Sequence, residues 1–191
     1  MLSHHLYALS VLKHNQNKMQ TNYKTQRLDL QELTAIDYEF ILELVNSPEW
    51  LKFISDGNTK TGEQVTEYIQ KIIDNPNYTY WVVRLLEGQV PIGVITFMKR
   101  DYLEYCDIGF AFLSQFAKMG YAFEATAAVL DEICTNTADS HILAVTIPEN
   151  VNSIRLLEKL GFSYNRELIR DAEKLLLYSA PINRNEQEQI P

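Results

Sequence analysis

The sequence predicts one α/β domain in which a mixed, mostly antiparallel central sheet carries helices on both faces. Segments with apolar residues at every second position alternate with segments whose apolar residues recur every three or four positions. In the middle of the chain, three strand-like segments follow one another as in an antiparallel meander. Strands and helices then alternate, and 191 residues suit one domain better than two.

A strand and two helix starts are predicted in the first third of the chain. Alternating apolar residues mark Arg27–Leu33 as a half-buried strand. In Thr34–Asp37 and Thr61–Gln64 a threonine stands three residues before an acidic or amide residue, which is the spacing of a capping box. Each of these two segments is therefore expected to begin a helix, and the two helices end at Pro48 and Asn75–Asn77.

The remaining elements follow from the same periodicities. The meander strands are predicted at Tyr78–Leu86, Val90–Met98 and Tyr105–Leu113. The second half is predicted to contain a helix, a strand, a helix ending at Gly161, and two strands, at 120–136, 141–147, 150–160, from 162 onward and at 175–180.

The chain ends are predicted to lie outside the domain. Residues 1–24 are assigned to an N-terminal extension, residues 25–182 to the domain and residues 183–191 to a polar tail. Met19 is an alternative start of translation. The histidines of the extension have no spacing typical of a metal site.

Composition and charge exclude several function classes. The net charge of −8 disfavours binding to duplex nucleic acid, and no apolar run is long enough to span a membrane. Cys106 and Cys134 are too few for a disulfide framework. They are expected to be free thiols in a reducing compartment, so we expect a cytoplasmic protein without a metal.

The passage into the helix at Gly120 is a candidate anion site. A strand, a glycine and a helix start together present unpaired N–H groups and the positive end of a helix dipole, which suits a phosphate. Gly120 permits close approach, Ala122 keeps the first turn small and Lys118 adds a positive charge. The same pattern fits a glycine that merely begins a core helix. A Rossmann site is excluded because no G-x-G-x-x-G follows a strand.

Three runs, in this order, resemble one family. The run Thr25–Leu33 is similar to the opening strand of the GNAT branch that contains ribosomal-protein N-acetyltransferases. Asp107–Leu113 followed by Gly120–Ala125 looks like the fourth strand and CoA-binding turn of that branch. Pro148–Phe162 matches its N-x-x-S…L-E-K-L-G-F signature, and the resemblance covers residues 25–180.

The resemblance implies a GNAT-like fold and an N-acetyltransferase that uses acetyl-CoA. In the implied reaction, a neutral primary amine attacks the thioester carbonyl directly. The acceptor is the amino terminus of a protein or peptide, or a small amine such as an aminoglycoside or polyamine. A homodimer is left open.

The resemblance also implies site residues. Backbone N–H groups near Ala111–Leu113 are expected to stabilise the oxyanion. Asn150 is expected to bind the pantetheine arm or to cap a helix, and Ser153 to protonate the leaving thiolate or to be a solvated serine. The implied CoA-binding residues are Ala111, Phe112, Leu113, Lys118, Met119, Gly120, Tyr121, Ala122, Asn150 and Ser153.

The acceptor side has candidates as well. Asp107 and Glu104 are candidate general bases, and solvated acids at a strand edge are the alternative. Trp50, Phe53 and Tyr80 are candidates for lining the acceptor site, with ordinary core packing as the alternative.

The sequence departs from the family at three positions. Ala117 and Lys118 stand where family members usually carry Gln, Arg or Trp, followed by Gly. Leu157 stands four residues before Gly161, where many GNAT enzymes have a tyrosine as general acid. These departures motivate the alternative of a non-catalytic module that keeps the fold and binds an acyl-CoA or a protein partner.

Overall fold

The structure is a computed structural model that describes residues 22–54, 57–137, 139–170 and 172–182. Most of the predicted N-terminal extension, with Met19, and the tail at 183–191 lie outside these residues. In chain order the elements are β1 (Asn22–Lys24), β2 (Leu28–Glu32), α1 (Tyr38–Val45), α2 (Pro48–Phe53), α3 (Gly62–Ile73), β3 (Tyr78–Leu85), β4 (Pro91–Met98), β5 (Asp107–Phe112), α4 (Tyr121–Asn136), β6 (His141–Thr146), α5 (Val151–Lys159), β7 (Ser163–Arg170) and β8 (Glu173–Pro181). Short 3₁₀ turns precede α1 (Ala35–Asp37) and follow β5 (Ser114–Phe116).

The eight described strands form one sheet in the order β1-β2-β3-β4-β5-β6-β8-β7. All neighbouring pairs are antiparallel except β5 and β6, which are parallel. The predicted meander is confirmed as β3-β4-β5. The register of the parallel pair joins Asp107 to Leu143, at the start of β5. Beyond that point the described part of the sheet opens between β5 and β6.

Helices cover both faces of the sheet, as predicted. The alternation of β3 turns Trp81 and Val83 to one face and Val82 to the other. Helices α1, α2 and α3 pack on the face of Val82, while α4 and Leu157 of α5 pack on the face of Trp81. All three of these β3 side chains are fully buried, so the central strands carry a core on each side.

The sheet begins earlier than the sequence suggests. The three residues of β1 lie in the segment assigned to the N-terminal extension, yet they pair with Asp29–Gln31. Tyr23 is buried and packs edge-on against Trp81 with ring centroids 5.6 Å apart. The predicted boundary at Thr25 therefore falls inside the fold. The sequence did not indicate β1 because a strand of three residues is too short to show a period-two pattern.

Both cysteines are free, as predicted, and both are half-buried. Burial raises the pKa of the Cys106 thiol to about 11, which leaves it protonated at neutral pH. In the described parts of the chain, no helix combines the length and apolar character needed to cross a membrane.

The predicted capping box at Thr34 is present and extends into a buried ion pair. The backbone N–H and the hydroxyl of Thr34 donate to Asp37 Oδ2 at 2.8 and 3.1 Å. The other oxygen of Asp37 accepts from Arg84 of β3. The side chains of Asp37 and Arg84 are only 4% and 18% exposed, so this carboxylate joins the start of α1 to the sheet.

Substituting Asp37 by alanine is expected to lower the free energy of unfolding by about 3 kcal/mol, because Arg84 then stays buried without its carboxylate. Urea denaturation measures this loss. Glu39→Ala, two residues further along the chain and exposed, is the matched control and is expected to change stability by less than about 0.5 kcal/mol. Equal stabilities of the two variants would contradict the role of the pair.

Candidate active site

A cleft of about 590 Å³ lies where β5 and β6 separate. Its walls come from β3, β4, β5, the end of β6, the start of α5, residues of α2, and Ile54 and Lys60. Of the predicted site residues, the cleft is lined by Asp107, Ala111, Asn150 and Ser153, and by the acceptor candidates Trp50, Phe53 and Tyr80. Leu157 also faces the cleft and is 1% exposed, so the tyrosine that the family places there has an apolar replacement.

Asn150 is the N-cap of α5, as one of the two alternatives predicted. Its Oδ1 accepts the backbone N–H of Ser153 at 3.1 Å. The cap uses only the carbonyl oxygen of the amide, and its NH₂ group is a separate donor at the cleft wall. Capping α5 and binding a ligand are therefore compatible roles for this side chain.

Asp107 lies at the bottom of the cleft and is paired with a guanidinium. Its carboxyl is 2% exposed, and Arg100 Nε donates to its Oδ1 at 2.7 Å. Burial raises the pKa of Asp107 more than Arg100 lowers it, so the net shift is upward. A carboxylate with a raised pKa is a better proton acceptor than a solvated aspartate.

Glu104, the second candidate base, lies outside the cleft. It is exposed in the turn that precedes β5, and its backbone carbonyl accepts from Lys99 Nζ. Glu104 lies before the start of β5, whereas β5 and β6 separate beyond their pairing at Asp107 and Leu143. Of the two predicted bases, only Asp107 reaches the cleft.

The hydrogen bonds of β5 alternate between its two edges. Leu113 N donates to Ile92 O at 3.0 Å, whereas Cys106 O accepts from Leu143 N at 3.0 Å. Odd-numbered residues of β5 therefore turn their backbone groups to β4, and even-numbered ones turn theirs to the side of β6. The N–H groups of Phe110 and Phe112 accordingly face the opening between the strands.

This alternation decides which of the N–H groups near Ala111–Leu113 are paired with β4. The N–H of Leu113 is bonded to Ile92, and its side chain is 4% exposed in the core. Ala111 has the same parity, so its N–H also belongs to the ladder with β4. Within Ala111–Leu113, only Phe112 has the parity that turns its N–H to the side of β6. Phe110 has the same parity and lines the cleft, and the sequence did not indicate it because parity requires a known register.

The predicted anion site has the expected backbone. Helix α4 begins at Tyr121, and Gly120 precedes it with φ +82° and no side-chain cap. The N–H groups of the first turn of α4, which includes Tyr121 and Ala122, are not paired within the helix. Lys118 also has a positive φ, +62°, and Met119 between these two residues is 54% exposed.

The positive φ of Lys118 explains the family preference at this position. Glycine adopts left-handed backbone conformations readily, whereas lysine does so at a cost of about 1 kcal/mol. Here the loop keeps that conformation with lysine in place. Lys118 thus combines a left-handed backbone conformation with a charged side chain in the loop before α4.

An ion pair that the sequence analysis did not predict holds this loop to β2. Arg27 donates from Nε to Glu124 Oε2 at 2.7 Å and from Nη1 to Met119 O at 3.0 Å. Its guanidinium also lies 4.5 Å from the centre of the Tyr121 ring. Partial burial opposes ionisation of Glu124, but hydrogen bonds from Thr25 and Arg27 outweigh it and lower the pKa of the carboxyl. Glu124 therefore stays ionised and balances Arg27.

The profile of the acetyltransferase (GNAT) domain matches residues 27–163. The uncharacterized N-acetyltransferase YnaD of Bacillus subtilis is 28% identical over 137 residues, which are 72% of this chain and 79% of YnaD.

Solved structures share the fold. A GNAT-family acetyltransferase from Bacillus anthracis superposes with a TM-score of 0.73 at 24% identity, covering 84% of this chain and 98% of its own. Spermidine N-acetyltransferase from Vibrio cholerae, in complex with CoA and spermine, gives a TM-score of 0.71 at 18% identity, with coverages of 82% and 96%. At these identities the likeness concerns the fold alone.

The profile spans more than two thirds of the chain, from β2 to the start of β7, and so includes the opening between β5 and β6 and the start of α4. The named relative is an N-acetyltransferase of similar length. The chain therefore belongs to the acetyltransferase (GNAT) domain family and is an acetyl-CoA-dependent acetyltransferase.

Proposed function

We propose that this protein transfers the acetyl group of acetyl-CoA to a primary amine, by direct attack of the amine on the thioester. The observation that carries the proposal is the cleft between β5 and β6, which brings unpaired strand N–H groups, Asn150, Ser153 and a buried carboxylate around one space. Held in line there, the two substrates react without a covalent enzyme intermediate.

The pyrophosphate of CoA binds at the start of α4. The free N–H groups of the first turn and the helix dipole attract it, and Gly120 presents no side chain in its way. Lys118 adds a positive charge beside the loop. Arg27 and Glu124 act as positioning residues, because together they fix the loop against β2.

The pantetheine arm and the thioester lie along the open edge of β5. The NH₂ group of Asn150 donates to an amide carbonyl of the arm. The N–H groups of Phe110 and Phe112 face the opening, so they serve as donors to the arm and to the oxyanion that forms at the thioester carbon.

Proton transfers complete the reaction. Asp107 accepts the proton that the ammonium group of the acceptor must lose before attack, either directly or through a water molecule. Ser153 donates a proton to the CoA sulfur as the C–S bond breaks, and it regains one, directly or through a water molecule, from the nitrogen that becomes the amide. A thiolate with a pKa of about 8.5 is a tolerable leaving group, so a serine suffices where Leu157 replaces the family tyrosine.

Substitution of Ser153 by alanine is expected to lower kcat about tenfold and to leave the affinity for CoA unchanged, because only protonation of sulfur is lost. Alanine keeps the start of α5 intact, since the cap uses the backbone N–H of residue 153. Steady-state kinetics with a calorimetric titration separates the two effects. Ser163→Ala, exposed on β7, is the control. A wild-type kcat for Ser153→Ala would remove the proposed role.

The proposal is tested by titrating the protein with acetyl-CoA and with CoA, then measuring acetylation of a panel of peptides and small amines. Saturable one-site binding with transfer to any of these amines supports it. Binding without transfer to any amine would favour the alternative, a non-catalytic acyl-CoA-binding module. Absence of binding at millimolar acetyl-CoA would reject both.

We also propose a branch of the family, the bounds of the folded domain and a cellular location for this protein. The N-x-x-S…L-E-K-L-G-F run, Asn150–Phe162, favours the ribosomal-protein N-acetyltransferase branch. The folded domain spans residues 22–182, so that it includes β1. Two free thiols are suited to a reducing compartment and support a cytoplasmic location.

A further inference from the structure

The cleft contains a buried hydroxyl that the mechanism above does not use. Thr96 of β4 lines the cleft and is 7% exposed. In the described parts of the chain this hydroxyl makes no hydrogen bond, since the phenol of Tyr80, its neighbour on β3, donates to Met98 Sδ at 3.5 Å. A buried hydroxyl without a partner costs free energy, and valine would fill the same space without that cost. The hydroxyl of Thr96 is therefore best explained by a ligand in the cleft.

Gly109 leaves the space beside this hydroxyl open. Thr96 and Gly109 lie directly opposite each other in the ladder of β4 and β5, and Gly109 also lines the cleft. A Cβ at position 109 would lie 2.6 Å from Thr96 Oγ1, which is closer than such atoms approach each other. The φ of Gly109 is not positive, so the backbone does not require glycine here. What matters at this position is the missing side chain.

The carboxyl of Asp107 lies on the same face, next to this space. Asp107 is two residues before Gly109 on β5, so it is the diagonal neighbour of Thr96, at a backbone spacing of about 7–8 Å. A nitrogen that donates to one oxygen of each residue at about 2.9 Å bridges oxygens up to about 5.8 Å apart, which suits two short side chains at this spacing. Arg100 binds Oδ1 of Asp107, so the other carboxyl oxygen can accept such a bond.

The position of Thr96 favours the acceptor over acetyl-CoA as the ligand. The pantetheine arm is proposed to lie along the edge of β5 that is turned to β6, whereas β4 pairs with the opposite edge of β5. Thr96 therefore lies one strand further from the arm. Its side chain is on the face of the sheet where Trp50 and Tyr80 also line the cleft.

We propose that Thr96 and Asp107 form the subsite for the primary amino group of the acceptor, in the space that Gly109 leaves open. The inference rests on the proposed function and specifies where the amine binds. An ammonium group has three N–H donors and no acceptor, so it donates one to the carboxylate and one to the hydroxyl. When Asp107 has taken a proton, the remaining N–H bond to Thr96 Oγ1 holds the nitrogen in place for attack on the thioester carbon.

The first test replaces Thr96 by valine, which keeps the shape of the side chain and removes the hydroxyl. The acceptors are 2-phenylethylamine, spermidine and trialanine. For each one that the wild type acetylates, kcat/KM is expected to fall about tenfold, as for loss of one hydrogen bond to a charged group. The factor should be similar for all of them, because the subsite binds the amino group that they share. A calorimetric titration should show unchanged affinity for acetyl-CoA.

Stability separates a binding role of this hydroxyl from a structural one. Thr96→Val is expected to keep or raise the midpoint of urea denaturation, because the hydroxyl that it removes is unpaired within the described chain. Thr96→Ser, which keeps a hydroxyl, is expected to retain most of the wild-type kcat/KM. Thr79→Val is the control, because it makes the same change on β3 with the side chain on the other face of the sheet and outside the cleft. This variant should acetylate the same amines at the wild-type kcat/KM.

The second test fills the space instead of removing the hydroxyl. The new Cβ of Gly109→Ala would press on Thr96 Oγ1, so kcat/KM is expected to fall at least about tenfold. In the double variant with Thr96→Val, the two losses are not expected to multiply, because both changes remove the same hydrogen bond.

The outcomes separate this inference from the proposed function. A wild-type kcat/KM for Thr96→Val, or a loss confined to one of several acceptors that the wild type uses, overturns the subsite and leaves the amine acetyltransferase standing. A lower denaturation midpoint for Thr96→Val than for Thr79→Val also overturns it, since the hydroxyl would then stabilise the fold. If the wild type acetylates none of the three acceptors and no other amine of the panel, the proposed function and the subsite are both overturned.

Discussion

Replacing Gly120 with glutamate is expected to abolish acetyl-CoA binding. Gly120 precedes the first turn of α4 with φ +82°, and a Cβ there would lie 3.4 Å from Arg27 Nη2. A glutamate side chain would place its carboxylate among the N–H groups proposed for the pyrophosphate, and would compete with Glu124 for Arg27. A calorimetric titration should show no saturation at millimolar acetyl-CoA.

The control must separate backbone strain from charge. Gly161→Glu places the same side chain at a glycine that follows α5, with φ +89° and no atom within 4 Å of the new Cβ. The backbone strain is therefore similar, but the position is far from the start of α4 in the chain. This variant is expected to bind acetyl-CoA as the wild type does. Ligand at 100 times its dissociation constant should still stabilise Gly161→Glu by about 2.7 kcal/mol in thermal melting, and should not stabilise Gly120→Glu. Saturable binding by Gly120→Glu at unchanged affinity would contradict the proposed phosphate site.

Apart from α2, the strands and helices from β2 to β8 were predictable because each has a local signal. Period-two and period-3.6 patterns, two capping boxes and the stop at Gly161 all report on residues that are close in sequence. Strand β1 lacks such a signal. Its three residues are held by pairing with β2 and by contact of Tyr23 with Trp81, and both contacts depend on the finished sheet.

The site was predictable only where a single segment builds it. The turn at Gly120 and the cap at Asn150 are local, and both are present as expected. The contact of Arg27 with Glu124 spans 97 residues, so no local pattern reveals it. The N–H groups of β5 that face the side of β6 depend on register, because shifting the pairing by one residue exchanges the groups of Phe112 for those of Leu113. The effect of the departure at Lys118 depends on a backbone angle, which the sequence does not give.

Substitution of Asp107 by asparagine is expected to lower kcat/KM about 100-fold, as for loss of a general base. Asparagine keeps the shape of the side chain and can still accept from Arg100, but it accepts no proton at working pH. Calorimetry should show unchanged binding of acetyl-CoA, because the start of α4 is not altered. Glu104→Gln, which changes the other predicted base in the exposed turn before β5, should retain the wild-type rate.

The pH profile distinguishes a base from a structural partner. Burial raises the pKa of Asp107 above the ordinary value of 3.8, against the opposing effect of Arg100. The ionised form is the active one, so kcat/KM of the wild type should fall as pH decreases through this raised pKa. Asp107→Asn should lack that fall, while the dependence on the ionisation of the amine itself, at higher pH, should remain in both proteins. If the variant keeps the acidic fall, another group accepts the proton, and the buried pair with Arg100 serves only to fix the start of β5.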